Sequence, residues 1–190
     1  MSIVQKVRIS YAQTFEPKDS FGDGKLAYSA TFLIDKKDKE KIKQIEELID
    51  RAIQLGVQNG KFKATAPKLP TFKRPLRDGD VERAANPDGR GPEYEGMMFF
   101  NARNTNPVGN VNRANQPIMP QDKEGFYSGW YVHADVNFYP FNSNGSAGIA
   151  AGLNNIMWVA AGERLDGRVS AQEAFTGLEV DDDSAPNDFE

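Results

Sequence analysis

Near the start of the chain, apolar and polar side chains alternate one for one. Val7, Ile9 and Tyr11 stand between Lys6, Arg8 and Ser10, the two-residue period of a half-buried strand, which predicts a strand over residues 3–13. Pro17, Asp19, Gly22, Asp23 and Gly24 mark a turn, and Leu26, Tyr28, Ala30, Phe32 and Ile34 then resume the alternation as the second arm of a hairpin. The period next changes to three and four. Ile42, Ile45, Ile49, Ala52 and Ile53 share one face with Lys, Glu and Asp opposite, which predicts an amphipathic helix. Asp35 or Asp38 supplies its N-cap, and Gly56 or Gly60 its end.

Over residues 59–95 neither period survives, because Pro67, Pro70, Pro75, Pro87 and Pro92 remove the donors a regular ladder needs. A connection this long is uncommon in a compact domain unless it is functional. Patterning returns over 97–102 and yields to an asparagine-rich loop over 101–120 with a short strand near Val111. The longest strand signal runs over 129–141. Trp130, Val132, Ala134, Val136 and Phe138 point to the core, and Tyr131, His133, Asp135, Asn137, Tyr139 and Phe141 form a mixed outer face. A glycine-rich turn over 142–148 leads to a closing strand through Ile156, Met157, Trp158 and Val159. Within that turn Asn144-Gly145-Ser146 matches a glycosylation acceptor, but it reads as a hairpin turn. Five to six strands and one helix predict a mainly β fold: a small barrel with one amphipathic helix and long basic loops.

Charge divides the chain unevenly. The 190 residues carry 23 Lys and Arg against 27 Asp and Glu, and residues 179–190 hold six of the acids, no base and Phe189. Without them the body is slightly positive. This predicts one domain over 1–178 and a disordered acidic tail over 179–190, including Asp181, Asp182, Asp183, Asp188 and Glu190. Residues 61–77 are the counterpart: Lys61, Lys63, Lys68, Lys73, Arg74 and Arg77 occur without an acid, interleaved with Phe62, Leu69 and Phe72.

Catalysis finds little support. There is no cysteine, and the lone His133 gives neither a triad nor a transition-metal site, so no cofactor or metal is expected. Phe21-Gly22-Asp23-Gly24-Lys25 lacks the spacing of a phosphate loop. A magnesium-dependent nuclease using Asp78 and Asp80 is one alternative, and a structural or adaptor protein is another. Lys6 and Arg8 interrupt the apolar start as no signal peptide does, and no segment has the roughly 20 apolar residues of a membrane span. A cytoplasmic setting and no membrane partner are expected.

Binding to a single strand of nucleic acid fits the composition better, since such a ligand needs cations for its phosphates and flat rings for its bases. Lys63, Lys68, Lys73, Arg74, Arg77, Arg103 and Arg113 are the candidate phosphate contacts, and Phe72, Tyr94, Tyr131 and Tyr139 the candidate stacking residues.

Four segments carry a family resemblance: 6–12 (KVRISYA), 73–80 (KRPLRDGD), 127–132 (YSGWYV) with 136–139 (VNFY), and 148–156 (GIAAGLNNI). The chain resembles the single-stranded DNA-binding proteins of tailed bacteriophages that have an OB-fold and an acidic C-terminal tail. The resemblance implies an OB-fold and sequence-independent coating of unpaired DNA during phage replication and recombination in the host cytoplasm. It also implies recruitment of a polymerase, helicase or primase through the tail, and it leaves a homo-oligomer open. Two departures stand out: Glu190 follows Phe189 at the terminus, and the predicted helix follows the second strand, whereas the usual OB order places it after the third.

Overall fold

A computed structural model describes residues 2–165, except 20, 21, 23 and 144, together with residue 176. Asn144 of the acceptor triplet and the acidic stretch 179–190, with Asp181, Asp182, Asp183, Asp188, Phe189 and Glu190, therefore lie outside the described residues.

The alternating segments become β1 (Ser2–Lys18) and β2 (Ala27–Asp35), paired antiparallel with Ile9 opposite Phe32. Helix α1 (Lys39–Gln58) starts where the Asp38 carboxylate accepts the Lys41 backbone N–H at 3.0 Å, and it ends at Asn59 with Gly60 at φ 65°. The chain continues through β3 (Arg77–Asp78), the short helix α2 (Gly79–Ala85), β4 (Met97–Asn104) and β5 (Gly109–Asn112). It closes with β6 (Tyr131–Ser143) and β7 (Ser146–Ala160).

Five strands form a closed ring in the order β1, β2, β4, β7, β6 and back to β1. All neighbours are antiparallel except β4 and β7, which meet in parallel at Arg103 and Gly152. Strand β3 lies outside β4, and β5 lies parallel to β7. This is a five-stranded barrel in which the helix follows the second barrel strand, as the sequence predicts. Closure leaves the barrel without an open edge.

The interior holds Val4, Ile9, Phe32, Phe100, Val132, Val136, Leu153 and Ile156, each worth roughly 1.5–3 kcal/mol when removed from water. Ile45, Ile49 and Ala52 of α1 join that core, with the helix packed chiefly on β6. The Trp158 indole donates to Asn110 Oδ1 at 3.0 Å and packs with Trp130, Phe15 and Phe126. Two residues of β1 sit at positive φ in bulges, Lys6 at 47° and Tyr11 at 46°, each costing about 1–3 kcal/mol. The second bulge corrects the predicted alternation: Tyr11 leaves the core face and is 51% exposed.

Residues 59–95 are more ordered than the loss of period implies. Asp78 caps α2 by accepting the backbone N–H groups of Asp80 and Val81, and Tyr94 packs on Phe99 and Leu33 in a second small core outside the barrel. Lys36, just beyond β2, donates to Asp78 and Asp80 at 2.6 Å each. Asp80 also accepts the Gly96 N–H. With both carboxylates so engaged, the reading of Asp78 and Asp80 as a magnesium pair is corrected: they anchor the 77–95 excursion. Among the described residues no cluster of three metal-binding side chains occurs, and no helix is long and apolar enough to cross a membrane.

The Lys36 hydrogen bond is the chief cause holding both carboxyls below the ordinary aspartate range, and the bonds to Asp78 and Asp80 raise the Lys36 ammonium. A depressed carboxyl stabilises the fold above about pH 4 and loses that contribution as pH falls through its folded value. The raised lysine keeps its contribution until pH climbs past about 10.4. Acid unfolding of Lys36→Met, followed by circular dichroism, should therefore begin at a higher pH than that of the wild type; coincident transitions would refute the anchor.

Candidate nucleic-acid interface

The basic segment is positioned by its aromatic and backbone groups. Phe72, 9% exposed, sets its ring edge-on to Phe62 at 5.1 Å, which pins the loop beneath α1. The next residue is stitched to the start of β7: the Lys73 N–H donates to the Ala147 carbonyl at 3.0 Å, and the Ile149 N–H donates to the Lys73 carbonyl at 2.9 Å. Gly148 lies between these bonds, and a Cβ there would collide with the Lys73 carbonyl oxygen.

Stitching makes Lys73, Arg74, Pro75 and Arg77 one wall of a cleft of about 660 Å³. Asn101 and Arg103 of β4, Tyr139 and Phe141 of β6, and Ala150 and Ala151 of β7 complete its lining. Tyr139 is 41% exposed, so its ring is open to a ligand.

The cations here are not uncompensated, as the local sequence implies. Arg74 donates to Asp50 of α1 at 3.0 Å, and Arg77 reaches Glu82 of α2 at 3.3 Å while lying 4.5 Å above the Phe99 ring. Ion pairs this exposed contribute at most about 1 kcal/mol, so they aim the guanidinium groups and yield readily to a stronger anion. Lys73 makes no ion pair among the described residues.

The structure thus brings together five of the predicted residues: Lys73, Arg74, Arg77, Arg103 and Tyr139. Lys63 lines a shallower hollow beyond the stitch, with Lys61 and Leu69, and Lys68 is exposed at the end of a 3₁₀ turn. Arg113 follows β5, exposed and outside the cleft. Tyr131 begins β6, eight residues or about 26 Å of strand from Tyr139, in a hollow with Lys6, Arg8 and Lys41.

Two stacking assignments are corrected by burial. Tyr94 is fully buried with its ring edge-on to Phe99 at 4.9 Å, and Phe72 is held in the Phe62 contact, so neither offers a face to a ligand. Phe141 and Asn101 belong to the cleft without having been singled out from sequence. Phe141 shares the face of Tyr139 two residues on, and the strand period alone carries that signal. Asn101 had none, since asparagine-rich segments ordinarily read as loop.

Known proteins share this architecture. The family model of the Enterobacter phage Enc34 ssDNA-binding protein matches residues 1–185. Protein p50 of Acyrthosiphon pisum secondary endosymbiont phage 1 is 30% identical over 182 residues, 93% of each chain. The single-stranded DNA-binding protein from bacteriophage Enc34, solved in complex with ssDNA, is similar with a TM-score of 0.69 and 27% identity, over 86% of this chain and 88% of that one. The fold alone is shared with gp2.5, a single-stranded DNA-binding protein encoded by bacteriophage T7, at TM-score 0.56 and 12% identity over 94% and 92% of the two chains.

Replacing Gly148 by valine should detach the stitch and leave the barrel standing. Hydrogen exchange at the Lys73 and Ile149 amides should accelerate at least tenfold while that of β1 and β2 is unchanged. Equal protection at both amides would show that another contact holds the loop.

Proposed function

The chain belongs to the family of the Enterobacter phage Enc34 ssDNA-binding protein, and from that membership we propose that it binds single-stranded DNA, without regard to sequence, in the cleft between the basic loop and β4. The observation that carries this reading is the convergence of Lys73, Arg74, Arg77 and Arg103 around the exposed Tyr139. Cations along the rims meet successive phosphates, and a ring at the side accepts a base through its π-face, which every base possesses. Ala150 and Ala151 in the lining are small side chains that leave room for a flat base. A duplex presents its bases already paired and stacked, so it forgoes this part of the interaction. Binding without turnover is the activity, and no catalytic residue is assigned.

The biological role that follows is the coating of unpaired strands during phage replication and recombination in the cytoplasm of an infected host. The acidic residues of 179–190 and Phe189 supply a second element, recruiting a polymerase, helicase or primase and competing with DNA for the cations of the cleft.

Affinity for a labelled oligothymidylate should fall linearly with salt on logarithmic axes. Replacing Lys73 and Arg103 together by alanine should lower the slope by about 1.4, since each phosphate contact on a single strand contributes about 0.7. A flat salt response in the wild type would reject the phosphate assignment. Truncation after residue 178 should tighten binding at low salt and matter less at high salt. Unchanged low-salt affinity would remove the competition and leave the binding reading intact.

A further inference from the structure

We propose that the hollow on the far side of Asn101 is a second nucleobase subsite, with Tyr11 as its stacking platform and Arg90 as its phosphate contact. The inference rests on the single-strand reading above and extends the site across the barrel. This hollow, about 370 Å³, is lined by Tyr11, Gln13, Ser29, Thr31, Arg90 and Asn101. Asn101 also lines the main cleft, so the two depressions adjoin across β4, and a strand leaving Tyr139 passes over Asn101 towards Tyr11.

Three observations carry the assignment. The first is the backbone of Tyr11. The register of β1 on β2 jumps between Ser10 and Gln13, and the bulge holds Tyr11 at φ 46°, a conformation in which glycine is the unstrained residue. An aromatic side chain there gains nothing from the core, because the bulge turns it out to 51% exposure on the face of the sheet that carries the hollow. Strain that displays a flat ring is the signature of a binding element rather than a packing one.

The second is the polar rim. The Thr31 hydroxyl donates to Asn101 Oδ1 at 2.8 Å, which directs the amide nitrogen of Asn101 to act as the donor. Every nucleobase carries an edge acceptor, so this donor is tolerant of sequence in the same way as the ring. The third is Arg90. Its guanidinium lies 5.2 Å and 5.4 Å from the Tyr94 and Phe99 ring centres, held by cation–π contact, and it makes no ion pair among the described residues. The aromatic cluster of the second core thereby presents a cation to the hollow.

The test uses the full chain with Tyr11→Gly and Tyr11→Phe, each titrated with oligothymidylate beside Tyr139→Ala. Glycine suits the observed φ, so Tyr11→Gly removes the ring and keeps the fold, which an unchanged thermal transition would verify. Tyr11→Gly should weaken binding by about 5- to 150-fold with the salt slope unchanged, and Tyr11→Phe should bind as the wild type does. Arg90→Gln should lower the salt slope by about 0.7. Wild-type affinity in Tyr11→Gly, with binding weakened in Tyr139→Ala, would overturn the second subsite and leave the main cleft standing. Failure of the wild type to bind any single strand would overturn the proposed function itself.

Discussion

Two hydrogen bonds between uncharged groups decide where the charge of this protein acts. The N–H and carbonyl of Lys73 are both taken up by the start of β7, through Ala147 and Ile149, and only a glycine at 148 lets the two backbones approach so closely. The Phe72–Phe62 contact and the pairing of Arg77 with β4 hold the segment at other points, but only the stitch fixes Lys73 against β7. With it, Lys73, Arg74 and Arg77 line the cleft from a loop tied to β7, and the barrel's rigidity passes to them. Bonds between uncharged backbone groups are little affected by salt, so the wall keeps its place while charge–charge contacts in the cleft vary with ionic strength.

Both helices reinforce the arrangement through acids placed outside the basic segment. Asp50 of α1 and Glu82 of α2 meet Arg74 and Arg77, and Lys36 ties the Asp78 cap of α2 to the end of β2. Weak exposed pairs suit this purpose, because a guanidinium oriented by a carboxylate still has donors for a phosphate. The aromatic residues divide the labour. Phe62, Phe72, Tyr94 and Phe99 build the supports, whereas Tyr139 is displayed.

Much of this is legible in the residues. The alternation in β1, β2 and β6 and the three-and-four spacing of α1 give a mainly β barrel with one amphipathic helix, because these elements are long enough for a period to repeat. Helix α2 escapes notice at seven residues, too short for two turns of pattern, and β3 has only two. The cations of the cleft are visible as a run without acids, but Asp50 and Glu82 arrive from other elements and no local window shows them. Phe72 and Tyr94 look available because they adjoin charge; their burial is decided by partners elsewhere, Phe62 and Phe99. Tyr11 is misplaced for a different reason, since a bulge inserts one residue and reverses the faces beyond it.

The placement of the two tryptophans has an optical consequence. Trp130 and Trp158 both sit in the aromatic cluster with Phe126, and neither lines the cleft or the hollow beside it. Their emission therefore reports the intactness of the barrel core and not the surroundings of Tyr139, which lies in the cleft lining. Unfolding can be followed by light without touching the cleft.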